Sequence, residues 1–99
     1  MALSFRICTE ADIEVVDPLL VAAYNFTGSR KALLLQYWAL QPDGWWLALL
    51  DGNPVGFGSA VDYGPFCSIG MISVHPSVQR RGIGKALMEQ ILSWGQARH

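Results

Sequence analysis

A short segment near the C-terminal end of the chain combines residue types that bind anions. It runs from Gln79 to Gly84 and reads Q-R-R-G-I-G, and the residues after it have helical apolar spacing. The first turn of a helix carries N–H groups without partners and the positive end of the macrodipole. Glycines at such a turn let an anion approach the backbone closely. The spacing therefore predicts a phosphate or pyrophosphate site.

The elements that would position this site lie directly before and after it in the sequence. An apolar run of strand length spans residues 66–74 and ends in V-H-P, which predicts a strand. A helix is predicted from about Ile83 to Gln96, because Ile83, Leu87, Ile91 and Trp94 share one face. The anion site is thus expected between the end of a strand and the start of a helix.

The rest of the chain predicts three more strands and two more helices. Strands are expected at residues 3–8, 45–50 and 55–61, and helices begin after Thr9 and after Ser29. Thr9 and Asp12 have capping-box spacing, and Pro18 is expected to kink or split the first helix. The order β-α-α-β-β-β-α, with tight turns between the last three strands, predicts an α/β fold of the α+β type. Its sheet should be mainly antiparallel.

Composition limits the classes of function that the chain can serve. The 99 residues form one domain at most, and 52% apolar content excludes a disordered chain. A net charge of −1 gives no basic field that would favour nucleic acid as a partner. No apolar run reaches membrane-spanning length, and the N-terminus lacks the form of a signal peptide, so a cytoplasmic location is expected. Cys8 and Cys67 are expected to be buried reduced thiols.

Two common glycine-rich motifs fit the segment poorly. A P-loop would need glycine where Gln79 stands and serine or threonine where Ala86 stands. A dinucleotide fingerprint would need glycine in place of Leu87, and the sequence ends before the position of its acidic ribose ligand. A different phosphate-binding α/β module remains open on these residues alone.

A third pattern matches well. The segment V-x-P-x-x-Q-R-R-G-I-G (74–84) resembles motif A of the GNAT superfamily of acyl-CoA N-acyltransferases. The segment R-x-C-T-x-A-D (6–12) is similar to the first strand and helix entry of that family, and G-N-P-V-G-F-G (52–58) to its β2–β3 hairpin. The resemblance covers nearly the whole chain.

The resemblance implies that acetyl-CoA is the co-substrate and that no metal takes part. Backbone amides would bind its pyrophosphate, and the strand before them would pair with the pantetheine arm and polarise the thioester carbonyl. An amine, on a small molecule or a peptide, would attack the acetyl group directly. The residues implied are Ile72, Ser73 and Val74 for the arm, and Gln79, Arg80, Arg81, Gly82, Ile83, Gly84 and Lys85 for the phosphates.

Catalytic side chains are not identified by the resemblance. Many relatives have a glutamate base on the fourth strand, where Ser68 stands here, and many use a tyrosine acid beyond the third helix, after the last residue of this sequence. The sequence leaves open whether three further residues belong to the site or to turns: His75, Asp62 and Tyr63. Either an acceptor pocket or the core could hold four further aromatic residues: Tyr24, Phe26, Trp38 and Trp45.

The family fold normally continues with a strand, a helix and a further strand, which the single domain 1–99 is expected to lack. The strand ending at Val74 would then expose an apolar edge, which predicts a homodimer through that edge or a shortened chain. A catalytically incomplete half-fold, which binds coenzyme A or only associates, is the alternative to an active acetyltransferase.

Overall fold

One antiparallel sheet and three α-helices make up the fold of this computed structural model, which describes residues 2–24 and 27–98. The element order confirms the predicted β-α-α-β-β-β-α pattern. The elements are β1 (Leu3–Ile7), α1 (Ile13–Tyr24), α2 (Lys31–Trp38), β2 (Trp45–Leu50), β3 (Asn53–Asp62), β4 (Cys67–Val74) and α3 (Ile83–Ala97). Short 3-10 turns lie at Glu10–Asp12, Pro42–Gly44 and Pro76–Val78.

The strands follow the order β1-β2-β3-β4, and each is antiparallel to its neighbour. Asp51 and Gly52 connect β2 to β3 with φ angles of 52° and 85°, as a two-residue hairpin turn requires. Within the part of the chain that the structure describes, β4 has a neighbour on one side only. The predicted exposed edge at β4 is therefore present in the described fold.

The two faces of the sheet are covered by different helices. Helices α1 and α2 pack on a face whose centre is Phe57, with Trp45 stacked on it at 5.8 Å between ring centroids. Helix α3 packs on the opposite face, where Gly56, Gly58 and Ala60 follow one another along β3. A Cβ on Gly58 would lie 2.5 Å from Cδ1 of Ile91, so small residues allow α3 to lie this close to the sheet.

Pro18 was expected to kink or split the first helix, and the structure contradicts the split. Helix α1 runs without interruption from Ile13 to Tyr24 with Pro18 inside it. Proline removes one backbone hydrogen bond, but Val16, Leu19 and Leu20 on either side of it are buried in the core. Tertiary packing therefore keeps the segment helical through the proline.

The entry to α1 is fixed by the carboxylate of Asp12, which confirms the predicted capping box. Thr9 N–H donates to Oδ2 of Asp12 at 2.7 Å, and Arg6 donates to both carboxylate oxygens at 2.6 and 2.9 Å. These hydrogen bonds, above all the one from Arg6, hold the pKa of Asp12 well below its ordinary value. The carboxylate thus links β1 to the start of α1.

Replacing Asp12 with asparagine should lower the free energy of unfolding by about 1 kcal/mol at pH 7, a modest value because Arg6 is half-exposed and screened. The folded-state pKa lies below the unfolded one, so this stabilisation is present above about pH 4 and disappears as the pH falls towards the folded value. Urea unfolding at pH 7 and pH 2.5 measures it, with Glu10→Gln in the same turn as control. An equal loss at both pH values would contradict the ion-pair explanation.

Candidate functional site

The loop between β4 and α3 is built around two residues in the left-handed conformation. Gly82 has φ +80° and stands directly before Ile83, the first residue of α3. Arg80, two residues earlier, has φ +69°. Glycine adopts this conformation without cost, whereas an arginine needs support from its surroundings. The two positions turn the chain sharply from the strand into the helix.

The amides of the first turn of α3 open towards a pocket. The first helical hydrogen bond runs from Ala86 N to Gly82 O at 3.0 Å, so the amides of Ile83, Gly84 and Lys85 have no partner within the helix. The pocket has a volume of about 400 Å³. Its walls are Ile72, Val74, Val78, Gln79, Arg80, Gly82, Ile83, Gly84 and Lys85. Nearly all of the residues predicted to bind the co-substrate therefore surround one cavity.

Two of the predicted residues do not line the pocket. A third, Gln79, lines it but makes a contact that was not predicted. Arg81 and Ser73 do not line the pocket. The Gln79 side chain donates from Nε2 to the carbonyl of Val74 at 3.0 Å, while its backbone N–H points to Pro76 O at 3.5 Å. Gln79 thus ties the loop to the end of β4 and fixes the helix start relative to the strand.

A bulge in β4 lies beside this pocket. Ser73 pairs with Phe57 and Gly70 with Ser59, so two residues of β4, Met71 and Ile72, face the single residue Gly58. Met71 takes a φ of +44°, which is rare for a residue with a long side chain. The bulge turns Met71 towards the α1/α2 face and Ile72 towards the α3 face.

The open edge of β4 offers the backbone groups of Ile72 and Val74. His75 N–H donates to Val55 O at 2.8 Å, which is the ladder to β3. Because alternate residues of a strand point the same way, Ser73 shares that direction and its backbone also faces β3. Its side chain is buried as well. The pairing with an extended ligand that the resemblance implies can therefore come from Ile72 and Val74, and not from Ser73.

Tyr24 reaches this edge from the end of α1. Its hydroxyl donates to the carbonyl of Ile72 at 3.1 Å. The sequence suggested Tyr24 only as a wall or core residue, because a contact across 48 positions leaves no local pattern. The contact anchors α1 beside the bulge and places a phenol next to the open strand.

A second cavity, here called the aromatic pocket, lies on the α1/α2 face beside Met71. It has a volume of about 430 Å³, and a smaller neighbour of about 250 Å³ shares Leu33 and Met71 with it. The aromatic pocket is lined by Leu33, Tyr37, Leu40, Trp45, Ser59, Ala60, Val61, Tyr63, Ser68, Gly70 and Met71. The smaller one is lined by Leu20, Tyr24, Arg30, Leu33 and Met71. The bulge thus separates the pocket at the start of α3 from the aromatic pocket.

Comparison with protein families gives one match, which spans residues 13–99 and is the acetyltransferase (GNAT) family. The chain belongs to the GNAT family. The resemblance that the sequence motifs indicated is thereby confirmed, and so is the fold class. No curated protein matches the chain.

Solved GNAT-type structures superpose on nearly the whole chain. A protein of Pyrococcus horikoshii assigned as an acetyltransferase has a TM-score of 0.91 at 36% identity, over 96% of this chain and 35% of its own length. Ard1 from Thermoplasma volcanium has 0.82 at 27% identity, over 98% and 66%. N-acetylglutamate synthase from Neisseria gonorrhoeae, solved with coenzyme A and N-acetylglutamate, has 0.75 at 19% identity, over 98% and 23%. The chain spans about a third of the first relative's length, about two thirds of the second's and less than a quarter of the third's.

The aromatic residues suggested for a GNAT acceptor site occupy different places. Trp45 lines the aromatic pocket, but it is 1% exposed and its ring stacks on Phe57, so it belongs mainly to the core. Trp38 packs against the same core. Tyr24 lines the smaller cavity, and Phe26 lies outside the described residues. Leu33 and Tyr37 of α2 line the pocket too, because helical spacing alone does not distinguish a pocket wall from a core face.

Among the candidate catalytic side chains, Ser68 and Tyr63 reach the aromatic pocket. Asp62 does not: its Oδ2 accepts from Arg98 at 2.9 Å and its Oδ1 from Gly64 N–H at 2.8 Å, so it acts as a turn and ion-pair residue. His75 accepts from Ser77 N–H through Nδ1 at 3.1 Å and caps the following 3-10 turn.

The two cysteines are free thiols in different surroundings. Cys8 is buried as predicted, and burial raises its pKa to about 12, so it remains a protonated thiol. Cys67 is only half-buried, which corrects the expectation for it, because β4 starts at the sheet edge. Burial and the nearby Asp62 carboxylate raise the pKa of Cys67, which disfavours its thiolate. Neither cysteine has the environment of a nucleophile.

The part of the chain that the structure describes contains neither a cluster of metal ligands nor a membrane-spanning helix. Within residues 2–24 and 27–98, the His, Cys, Asp and Glu side chains form no group of three that could hold a metal ion. Among the described helices, none is long and apolar enough to cross a membrane.

Proposed function

We propose that this GNAT chain transfers an acetyl group from acetyl-CoA to an amine. The observation that carries the proposal is the start of α3. There the amides of Ile83, Gly84 and Lys85, which have no partner within the helix, share one pocket with the open edge of β4. A diphosphate suits such a helix start, and an extended amide chain suits such an edge. The neighbour from Neisseria, solved with coenzyme A, supports this choice of ligand.

In the proposed complex, the diphosphate of acetyl-CoA accepts hydrogen bonds from the first amides of α3. The side chains of Arg80 and Lys85, which line the pocket, add positive charge. The pantetheine arm pairs with the outward backbone groups of Ile72 and Val74. Gln79 and Tyr24 hold this geometry by binding the Val74 and Ile72 carbonyls, which leaves the outward amides of the two residues for the ligand.

The transfer step then occurs at the bulge. The lone pair of the amine attacks the acetyl carbonyl carbon, a C–N bond forms, and the C–S bond breaks. The electron pair leaves with the coenzyme A sulfur, and the proton lost by the amine passes to solvent or to the thiolate. An outward amide of Ile72 or Val74 would stabilise the negative charge that develops on the carbonyl oxygen. The amine arrives from the aromatic pocket, which opens on the other side of Met71.

A second candidate is a GNAT domain that binds coenzyme A without turnover. It is favoured by the chemistry of the aromatic pocket, because its described lining residues include neither a carboxylate nor a histidine that could act as base. Calorimetric titration with acetyl-CoA tests both candidates, and ATP and NAD in the same assay test the unrelated phosphate-binding module. Free-thiol release with an amine panel then separates the transferase from the binding module.

The fourth-strand serine offers a direct test of the missing base. Ser68→Glu should raise kcat/KM for an alkylamine acceptor at pH 7 by about tenfold or more, because the carboxylate would accept the proton of the amine. The wild type lacks this base, so its rate should rise with pH until the pH reaches the pKa of the acceptor amine. Thiol-release rates from pH 6 to pH 10 measure this effect, and Ser68→Gln supplies the same volume without a base. An equal gain in the glutamine variant would contradict the general-base explanation.

The predicted homodimer through β4 stays a prediction and competes with this use of the edge. A strand added along β4 would occupy the same outward groups of Ile72 and Val74 that the pantetheine arm needs. The proposal therefore assigns that half of the edge to the co-substrate.

A further inference from the structure

The exposed apolar side chains of the described chain concentrate around the aromatic pocket. Six of the ten large apolar residues that are exposed lie at this pocket, at its smaller neighbour or on their rim. These six are Tyr24, Leu33, Tyr37, Leu40, Tyr63 and Phe66. The Tyr63 and Phe66 rings contact each other with centroids 5.4 Å apart. A contiguous apolar surface of this kind marks a binding groove.

The charge of the residues that line the two cavities also limits which ligand can bind. Among the described residues that line the two cavities, Arg30 is the only charged one, and it is a cation. The polar groups that remain at the aromatic pocket are neutral hydroxyls, such as those of Tyr37, Tyr63 and Ser68. The Ser59 hydroxyl is already donating to Gly70 O at 3.1 Å. An ammonium group gains no counter-ion there, so the walls favour the neutral form of an amine.

This preference discriminates between two common kinds of amine. An α-amine has an ordinary pKa of about 7.7–8.0, so roughly a third of it is neutral at pH 7.5. A lysine side chain has a pKa of about 10.4, and only about 0.1% of it is neutral at that pH. A site without a base uses the amine that is already deprotonated, whereas a site with a carboxylate can accept either.

We propose that the acceptor is an α-amine next to a large apolar side chain, rather than the ε-amine of lysine. The inference rests on the proposed function and names the acceptor class of the same site. The apolar side chain fills the space between Leu33, Tyr37 and Tyr63, and the α-amine lies at Met71, beside the bulge. A free amino-acid derivative and the N-terminus of a peptide share this chemistry.

A comparison of three acceptor substrates with the full chain tests the proposal. The substrates are leucinamide, serinamide and Nα-acetyl-lysine amide, each with acetyl-CoA and with thiol release as the readout. We expect kcat/KM for leucinamide to exceed that for the lysine derivative by at least 30-fold, and that for serinamide by at least fivefold. A tripeptide that begins with leucine distinguishes the sources: a higher rate than leucinamide indicates a peptide acceptor, and a lower rate a small molecule. Equal rates for leucinamide and the lysine derivative would overturn the proposal.

A pair of matched variants separates the pocket from the rest of the surface. Leu33 and Leu92 are both helical and are 46% and 45% exposed, but only Leu33 lines the aromatic pocket. Leu33→Glu introduces a carboxylate there and should reduce the preference for leucinamide over the lysine derivative by at least tenfold. Leu92→Glu, on α3, should leave the preference unchanged. A preference that does not change in Leu33→Glu would show that the acceptor lies elsewhere.

Two calorimetric titrations distinguish failure of this inference from failure of the proposed function. Acetyl-CoA that does not bind refutes the proposed function and the inference with it. Acetyl-CoA that binds, with no leucinamide binding to the coenzyme A complex, refutes the inference alone. Binding of leucinamide to the complex, lost in Leu33→Glu and kept in Leu92→Glu, supports the inference independently of turnover.

Discussion

Replacement of Gly84 by aspartate is expected to abolish acetyl-CoA binding while leaving the chain folded. Gly84 lies in the first turn of α3 and lines the pocket there, so the new carboxylate would stand where the diphosphate is proposed to bind. Two like charges at about 4 Å repel by about 4 kcal/mol at a partly exposed site, before screening by salt. We therefore expect affinity to fall at least 100-fold, which is about 2.7 kcal/mol. Isothermal titration with acetyl-CoA measures the loss.

The stability of Gly84→Asp should increase, although its affinity for acetyl-CoA falls. An acidic side chain in the first turn interacts favourably with the helix dipole, and aspartate is a better helix former than glycine. Among the described residues, a Cβ at Gly84 would meet Cγ2 of Val74 alone, at an ordinary contact distance of 3.7 Å. Gly84→Ala is the matched control and should keep the affinity, with a stability equal to or above that of the wild type. If Gly84→Asp bound acetyl-CoA as tightly as Gly84→Ala, the diphosphate would not lie at the start of α3.

The largest expected effect on stability comes from Gly44→Ala. A Cβ at Gly44 would lie 2.2 Å from the carbonyl oxygen of Ala60, and a backbone atom in the middle of β3 cannot move aside. Trp45, the next residue, is buried and stacked on Phe57, so the chain cannot rotate locally to relieve the clash. We expect a loss of about 3 kcal/mol and a fall in Tm of more than about 10 °C. Thermal and urea unfolding followed by circular dichroism measure both quantities.

Gly28→Ala is the control for this substitution, because a Cβ at Gly28 would meet no atom of the described residues within 4 Å. Its stability should stay within about 0.5 kcal/mol of the wild type. Since Ala60 and Trp45 also line the aromatic pocket, a folded fraction of Gly44→Ala should show weakened acceptor use. If Gly44→Ala and Gly28→Ala had the same Tm, Gly44 would not pack against β3 as closely as the structure shows.

The parts of the fold that the sequence predicts are those fixed by local periodicity and turn chemistry. The apolar face of α3, the Asp51-Gly52 hairpin and the glycine and alanine face of β3 each follow from residues close in sequence. The position of a pocket at the start of α3 follows in the same way, since strand, loop and helix are contiguous. That this pocket binds phosphate stays a prediction.

The finer geometry of the site depends on contacts that carry no local signal. Nothing around Met71 distinguishes a bulge from a regular strand, and its positive φ falls on a residue that rarely adopts one. The contact from Tyr24 to Ile72 joins positions far apart, and the one from Gln79 to Val74 depends on how the loop folds back. The ladder from His75 to Val55, together with the bulge, decides that Ile72 and Val74, but not Ser73, face the open edge.

The open edge of β4 would give the proposed co-substrate a second role besides the transfer reaction. Exposed strand edges are the surfaces through which sheet proteins aggregate, and here the outward groups of Ile72 and Val74 form one end of such an edge. A pantetheine arm bound there would satisfy those groups as an additional strand does. In the proposed complex, acetyl-CoA thus also protects the edge of β4 from aggregation. Purification and storage of the chain should therefore be done with acetyl-CoA present.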